Sequence, residues 1–172
     1  MTAKVNNEIN YCLRCGNLLD RAERFGRLRP VCPVCDCVFF EDPKVAVAAL
    51  IDHDGQVLLT RRANDPQRGL WTLPAGFVDA GEHPARALVR ECLEETGLQT
   101  HIIGLFDVLH GQEHPRGAHI LIVFLAEALS GSIDPGDDVD QVAFFPLNKL
   151  PPLAFSTTHE VIGKWASQKG KR

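Results

Sequence analysis

The sequence predicts a two-part protein, with a small metal-stabilised module followed by an α/β domain. Three observations support this fold class. Five of the six cysteines fall within the first 37 residues. Two runs rich in β-branched residues flank an Asp-Gly dipeptide, and one short segment between further strand-like runs has the caps and spacing of a helix. We place the boundary at residue 42, so that residues 1–42 form the module and residues 43–172 the α/β domain.

The N-terminal module has too few large apolar residues for a core of its own and needs a metal. Its spacing, Cys12-x2-Cys15, sixteen residues, then Cys32-x2-Cys35, lies within a known four-cysteine zinc pattern. Zinc binding supplies the folding free energy of such a module, and a closed four-thiolate site leaves no position for substrate, so we expect structural Zn²⁺. Disulfides and unliganded thiols are disfavoured. Cys37 is surplus, either a bystander or a ligand that exchanges with Cys35.

The α/β domain begins with a predicted β-hairpin. In KVAVAALIDHDGQVLLTRR, residues 44–62, Asp54-Gly55 supplies the positive backbone angles of a tight turn. The segment GLWTLPAGF, residues 69–77, adds a short strand and a Pro/Gly-bent loop. Three further strands are predicted after the helix, over residues 102–109, 119–127 and 142–146.

The sequence ends with a second predicted helix. Thr157 and Glu160 have capping-box spacing, and the apolar residues that follow have helical spacing. These are Val161, Ile162 and Trp165. We expect residues 167–172 to form a frayed basic tail.

Composition excludes several classes of protein. The 172 residues, 45% of them hydrophobic, suit one medium domain plus a small appendage. No apolar run approaches the roughly 20 residues of a membrane span, and the start MTAKVNNEIN lacks the layout of a secretory signal. We therefore expect a cytoplasmic protein with no membrane partner. The net charge of -4 offers nucleic acid no global positive field.

The first helix is predicted over residues 84–96, because Pro84 suits its first turn and Gly97 the position after its end. At about 100° per residue, the helix has one side that we expect to be buried, formed by Ala85, Leu88, Val89, Cys92, Leu93 and Thr96. The other side gathers small Ala87 with the carboxylates of Glu91, Glu94 and Glu95.

Like charges at this spacing destabilise a helix. The acidic side is therefore either a solvated face screened by Arg86 and Arg90, or a site for a hard divalent cation, which prefers carboxylate oxygens. The adjoining loop at residues 73–76 favours the metal, because its carbonyls can add ligands and its amides can face an anion.

The glutamate-rich segment resembles the signature of the Nudix hydrolases. That signature is Gly, five residues, Glu, seven residues, Arg-Glu, an apolar residue, any residue, Glu-Glu, any residue, Gly and an apolar residue. This chain meets every position, with Gly76, Glu82, Arg90, Glu91, Cys92, Glu94, Glu95, Gly97 and Leu98. The resemblance covers about residues 44–153 and implies a Nudix α/β/α sandwich with a mixed sheet, which hydrolyses a nucleoside diphosphate linked to another moiety.

The resemblance also implies residue roles. Glu91, Glu94 and Glu95 are expected to ligate catalytic Mg²⁺ or Mn²⁺, together with the carbonyl of Gly76. Glu82 and Arg90 are expected to orient these ligands.

The general base of this family is often an acid outside the signature. Here we favour Glu113 as the fifth catalytic residue beside Glu82, Arg90, Glu94 and Glu95. Asp137 and Asp138 are the alternatives.

The substrate is predicted from the combination of a zinc ribbon with a Nudix domain, which resembles NADH pyrophosphatases and enzymes acting on ADP-ribose or FAD. This chain lacks the Ser-Gln-Pro-Trp segment of the first group, and its LPPLAF, residues 150–155, is similar to the second. We expect a small-molecule nucleotide-diphosphate substrate, ADP-ribose or FAD, cleaved to AMP and a phosphorylated product. A homodimer is suggested by family analogy.

Three other functions stay open. Two are enzymatic, an NADH pyrophosphatase and an RNA-cap hydrolase. The third is a nucleic-acid-binding zinc ribbon on an inactive scaffold, with Arg21, Arg24, Arg27 and Arg29 as the contacts. It is not favoured, because no signature carboxylate is lost and the ribbon has few aromatic residues.

Overall fold

The computed structural model describes residues 9–40, 42–111 and 117–170. It separates into two compact units, Met1–Asp42 and Pro43–Arg172. Within the described residues, no helix is long and apolar enough to cross a membrane.

The N-terminal unit is a two-stranded hairpin with a cysteine turn on each side. Strands β1 (Asp20–Arg24) and β2 (Arg27–Val31) pair antiparallel and are joined by Phe25-Gly26. The two cysteine turns have the same design: the Gly16 amide donates to the Cys12 carbonyl at 2.8 Å, and the Asp36 amide donates to the Cys32 carbonyl at 3.0 Å.

The described residues of the C-terminal unit form one mixed sheet of seven strands, two α-helices and a short 3-10 helix, Leu147–Lys149. In chain order these are β3 (Val45–His53), β4 (Gln56–Arg62), β5 (Trp71–Thr72), β6 (Ala75–Phe77), α1 (Pro84–Thr96), β7 (Gln99–His110), β8 (Ile120–Ser130), β9 (Val139–Pro146) and α2 (Ser156–Lys169). The main path runs β5-β4-β3-β8-β7, with β6 paired to β3 and β9 paired to β4. Strands β3 and β8 are parallel, whereas the other pairs are antiparallel.

One edge of strand β3 pairs with β8 along residues 45–51, and its other edge is divided between two partners. Residues 46–48 pair with β6, whereas Asp52 and His53 pair with β4. The loop that precedes α1 therefore enters the sheet beside β3 and brings its backbone close to the helix.

The core lies on both faces of the sheet. Leu50 and Leu59 belong to one cluster, which includes Val161 and Trp165 of α2. Ile51 and Leu58 belong to a second cluster, which includes Leu88 and Cys92 of α1. Alternate residues of each strand thus face opposite helices, and the predicted α/β/α arrangement is confirmed.

The structure corrects several predicted bounds. Strands β7, β8 and β9 are longer than predicted because pairing continues into the polar residues at their ends. Helix α2 begins at Ser156, with Phe155 as its N-cap and no side-chain capping bond, so the predicted Thr157 cap is wrong. Helix α2 also continues to Lys169, where we expected a frayed tail to start at Ser167.

Candidate active site

Local sequence fixes both ends of α1. The His83 ring nitrogen Nδ1 accepts a hydrogen bond from the Ala85 amide at 3.2 Å, and Pro84 occupies the first turn. Gly97 ends the helix in the left-handed conformation, with φ 72°, and its amide donates to the Leu93 carbonyl. The predicted bounds of this helix are thus those of the structure.

The predicted orientation of α1 is wrong in one respect. Val89 and Leu93 were expected to be buried, yet they are 38% and 49% exposed, whereas Glu91 and Glu95 are only 8% and 4% exposed. The helix packs against β3, β6 and β7, and the Glu91 and Glu95 carboxylates lie against the Ala75-Gly76 backbone. Two carboxylates of the acidic side, those of Glu91 and Glu95, therefore face the protein interior, whereas Glu94 is exposed.

The Ala75-Gly76 backbone covers these two carboxylates. The Ala75 amide donates to Glu95 Oε2 at 3.1 Å. A Cβ added at Gly76 would lie 1.9 Å from the Glu91 carboxyl carbon. Only glycine therefore permits this approach of backbone and carboxylate.

Arg90 connects the acidic residues at the rim of the site. Its Nε and Nη2 donate to both oxygens of Glu82, each at 3.0 Å. Its Nη1 donates to Glu91 Oε1 at 2.8 Å and to Glu94 Oε2 at 2.9 Å, and its Nη2 also donates to the Phe77 carbonyl at 3.2 Å. This guanidinium lowers the pKa of Glu82 and fixes Glu91 relative to β6.

An open cavity lies above Glu91 and Glu95. Asp79, Asp137 and Asp138 also line it. Burial is the main cause that raises the pKa of both glutamates, well above the usual range for Glu95, and the neighbouring aspartates raise it further. Several carboxylates thus share a partly buried space with few positive charges.

Arg62 lies at the other side of this cavity. Its Nε donates to the Pro66 carbonyl at 2.7 Å, and its guanidinium carbon lies 5.3 Å from the centre of the Phe155 ring. The neighbouring Arg61 instead pairs with both oxygens of Asp140, at 2.7 and 3.0 Å. Arg62 is therefore the arginine of this pair that faces the site.

A second, mostly apolar cavity adjoins the first, because Ala75 and Ala118 line both. Its walls come from β3, β5, β8 and the start of α2, and include Leu73, Leu121 and Phe155. Thr72 and Thr158, whose buried hydroxyl oxygens are 3.0 Å apart, add polar groups. No described residue of this wall is charged, so the cavity suits an uncharged ring or sugar.

The structure groups most, but not all, of the predicted site residues. Gly76, Glu82, Arg90, Glu91 and Glu95 lie together. Glu94 is held at the rim by Arg90 and does not line the cavity. Glu113 lies outside the described residues.

The sequence analysis expected backbone groups of residues 73–76 to take part in the site, and the Ala75 amide of this loop donates to Glu95. It missed the Phe77 carbonyl, which accepts from Arg90, because periodicity reports side chains alone. It also missed the hydroxyl pair of Thr72 and Thr158, which are far apart in the chain.

The N-terminal unit contains a separate candidate metal centre. The sulfur atoms of Cys12, Cys15, Cys32 and Cys35 all lie within 4.8 Å of one another, and within the described residues this is the one such group of potential ligands. Cys37 is outside the group, 3.7 Å from Arg14 Nη1. The predicted ligand set is thus brought together.

Comparison with known proteins agrees with the family resemblance of the sequence. The NUDIX domain family matches residues 41–166. The ADP-ribose pyrophosphatase of Methanocaldococcus jannaschii is 44% identical over 123 residues, which cover 71% of this chain and 72% of that protein. The NAD-capped RNA hydrolase NudC of Pseudomonas aeruginosa is 30% identical over 144 residues, which cover 83% of this chain and 50% of that protein.

Solved structures of NUDIX hydrolases have the same fold. A NUDIX hydrolase from Nitrosomonas europaea superposes with a TM-score of 0.84 at 29% identity, covering 95% of this chain and 93% of that one. A MutT NUDIX hydrolase from Burkholderia pseudomallei superposes with a TM-score of 0.66 at 32% identity, covering 72% of this chain and 98% of that one.

Proposed function

Because this chain belongs to the NUDIX domain family, we propose that it is a Mg²⁺-dependent pyrophosphohydrolase that cleaves ADP-ribose to AMP and a phosphorylated sugar. FAD is the second substrate of the same class. The observation that carries this proposal is the pair of buried carboxylates, Glu91 and Glu95, beneath the Ala75-Gly76 backbone and beside a cavity. The 44% identity to an ADP-ribose pyrophosphatase supports the choice of substrate.

The donor set fits a hard divalent cation. Glu95 is almost fully buried, and the Ala75 amide is the one hydrogen-bond donor that the described residues give its carboxylate. A buried carboxylate surrounded by further acids is costly unless a cation offsets the charge. A site with oxygen ligands and room for bound water favours Mg²⁺ or Mn²⁺.

We assign Glu91 and Glu95 as ligands, with the Gly76 carbonyl beside them. Glu94 can become a third carboxylate ligand if it exchanges its hydrogen bond with Arg90 for a bond to the cation. The cation would stabilise charge that develops on the diphosphate.

Other residues position the ligands and the substrate. Arg90 clamps Glu82 with two hydrogen bonds and holds Glu91 by a third, so it keeps the carboxylate from rotating away. Arg62 faces the cavity and can donate to a phosphate oxygen, because a guanidinium recognises phosphate well. The adjoining apolar cavity receives an uncharged part of the dinucleotide.

For the general base, Glu113 is proposed from the resemblance alone. The geometry supports Asp137 and Asp138, since both line the cavity that contains Glu91 and Glu95. Single Asn or Gln variants of these three acids separate the assignments. The base is the residue whose loss lowers kcat by about 10²- to 10⁴-fold and removes the fall in activity at acidic pH, where the base would become protonated.

We propose residues 1–42 as a zinc ribbon and residues 43–172 as the NUDIX hydrolase domain. Four thiolates favour Zn²⁺ over the hard cations, and a four-cysteine site is closed to substrate. The zinc is therefore structural.

Removal of a nucleotide cap from RNA is a second candidate activity. It is favoured by the similarity to an NAD-capped RNA hydrolase over 83% of this chain. One experiment ranks the candidates: hydrolysis of ADP-ribose, FAD, NADH and a NAD-capped RNA at equal concentration with Mg²⁺, with products resolved by mass. We expect the highest kcat/KM for ADP-ribose, and a preference for the capped RNA would overturn that choice.

A further inference from the structure

The two faces of the β1–β2 hairpin differ in chemistry. Paired residues of antiparallel strands share a face, and successive residues alternate between faces. The register pairs Arg24 with Arg27 and Ala22 with Arg29, so one face carries all three arginines. The opposite face carries Arg21.

Two aromatic rings lie beside the arginine face. Phe25 in the turn is 76% exposed and Phe40 is 49% exposed. Their ring centres are 5.8 Å apart with 30° between the planes, and the Arg29 guanidinium carbon lies 4.3 Å from the centre of the Phe40 ring. Fourteen residues lie between Phe25 and Phe40 in the sequence, and the fold joins the two rings into one stack that remains open to solvent.

The arginines of this face are not fully neutralised. Arg24 approaches Asp36 at 3.8 Å, and the Nε of Arg29 donates to the Arg24 carbonyl at 3.3 Å. Within the described residues, the side chain of Arg27 has no hydrogen-bond or ion-pair partner. At least one guanidinium is thus available to an anion, next to a flat apolar surface.

We propose that this face, formed by Arg24, Phe25, Arg27, Arg29 and Phe40, binds single-stranded nucleic acid. Bases stack on the Phe25–Phe40 pair, and the arginines contact the phosphates. Aromatic stacking combined with backbone phosphate contacts is how proteins bind single strands without sequence preference, whereas a duplex conceals its base faces. This inference rests on the N-terminal unit and is independent of the proposed hydrolysis.

The test measures binding of the full, zinc-loaded chain to a labelled 12-nucleotide RNA and to DNA of the same sequence, by fluorescence anisotropy. Both oligonucleotides have a 5′-hydroxyl end and therefore no diphosphate for the hydrolase site. We expect Phe25→Ala to weaken binding about ten-fold or more, because stacking is lost. Arg27→Ala should reduce the slope of log K against log salt by about 0.7, the value for one phosphate contact on a single strand.

Matched controls come from the opposite face of the same hairpin. Leu28→Ala removes an exposed apolar side chain, and Arg21→Ala removes an arginine, so both should leave affinity and salt slope unchanged. Zinc content and ADP-ribose turnover are measured for every variant, so a folding defect or an inactive hydrolase is recognised separately.

Three results would overturn the inference. The first is that the wild-type chain binds neither oligonucleotide at 50 mM salt. The second is that the control variants lose as much affinity as Phe25→Ala and Arg27→Ala. The third is a change in self-association by Phe25→Ala with unchanged oligonucleotide binding, which would assign the face to a protein contact. Equal affinity for RNA and DNA would support stacking and phosphate contacts, and a preference for RNA would add a contact to the 2′-hydroxyl.

Discussion

Replacing Gly76 by alanine tests whether the close approach of β6 to Glu91 is needed for turnover. The added Cβ would lie 1.9 Å from the Glu91 carboxyl carbon and 2.1 and 2.2 Å from its oxygens. Since φ at Gly76 is not in the left-handed region, the backbone itself accepts alanine. The effect of the substitution is therefore steric and directed at one side chain.

The contact sets the size of the effect. Ordinary van der Waals contact begins at 3.4 Å, so the carboxyl carbon must retreat by 1.5 Å from its present 1.9 Å. A displacement of about 1 Å in a catalytic group costs about 10²-fold in rate. We expect kcat for ADP-ribose to fall at least about 100-fold, with a loss of about 1–3 kcal/mol in the free energy of unfolding from overpacking.

The assay measures Mg²⁺-dependent turnover and urea unfolding for this variant and for Gly104→Ala, whose added Cβ has no atom within 4 Å. The same substitution is then made in a Glu91→Ala variant, which tests whether the Glu91 side chain is the cause of the effect. If the clash acts through the Glu91 side chain, Gly76→Ala should no longer destabilise the protein in that background. Full activity of Gly76→Ala, or an equal loss of stability with and without Glu91, would refute the steric argument.

Other substitutions test the remaining contacts. Glu95→Gln should abolish turnover. It should also exceed the wild type in stability at pH 8 without divalent cation, because burial raises the pKa of Glu95 and wild-type stability falls as the pH rises through that value; urea unfolding at pH 5 and pH 8 checks this. Arg90→Lys removes the two-pronged contact to Glu82 and should lower kcat more than it changes KM, in steady-state kinetics. Leu88→Ala should cost about 2–5 kcal/mol in urea unfolding, because its side chain is fully buried. Cys32→Ser should lower the bound zinc, measured by elemental analysis.

Features with local causes were predictable from the sequence. Pro84 and Gly97 marked the ends of α1, and Asp54-Gly55 marked the hairpin, where both residues have positive φ. The cysteine spacing likewise predicted the four-sulfur cluster. The helix ends and the hairpin turn are each determined by a short segment, and the zinc pattern specifies the spacing of its two cysteine pairs, so one sequence was sufficient.

The orientation of α1 depends on another element and was mispredicted. Apolarity placed Val89 and Leu93 inside, but β6 lies beside Glu91 and Glu95, and Gly76 leaves space for a carboxylate. A helical pattern reports the polarity of side chains and contains no information on what packs against them.

Contacts between residues far apart in the chain could likewise not be predicted from the sequence. Asp137 and Asp138 reach the site because the loop before β9 is positioned by pairing of β9 with β4. Phe25 and Phe40 appeared unrelated in sequence, and the fold of the N-terminal unit stacks them.

The most direct test of the proposed function is hydrolysis of ADP-ribose by the wild-type chain and by Glu95→Gln, with and without Mg²⁺, with products identified by mass spectrometry. The account predicts that the wild type produces AMP and ribose phosphate only when Mg²⁺ is present. The variant is expected to produce neither. Equal turnover by Glu95→Gln, or turnover that persists without any divalent cation, would contradict the assignment of the buried carboxylates as the metal site.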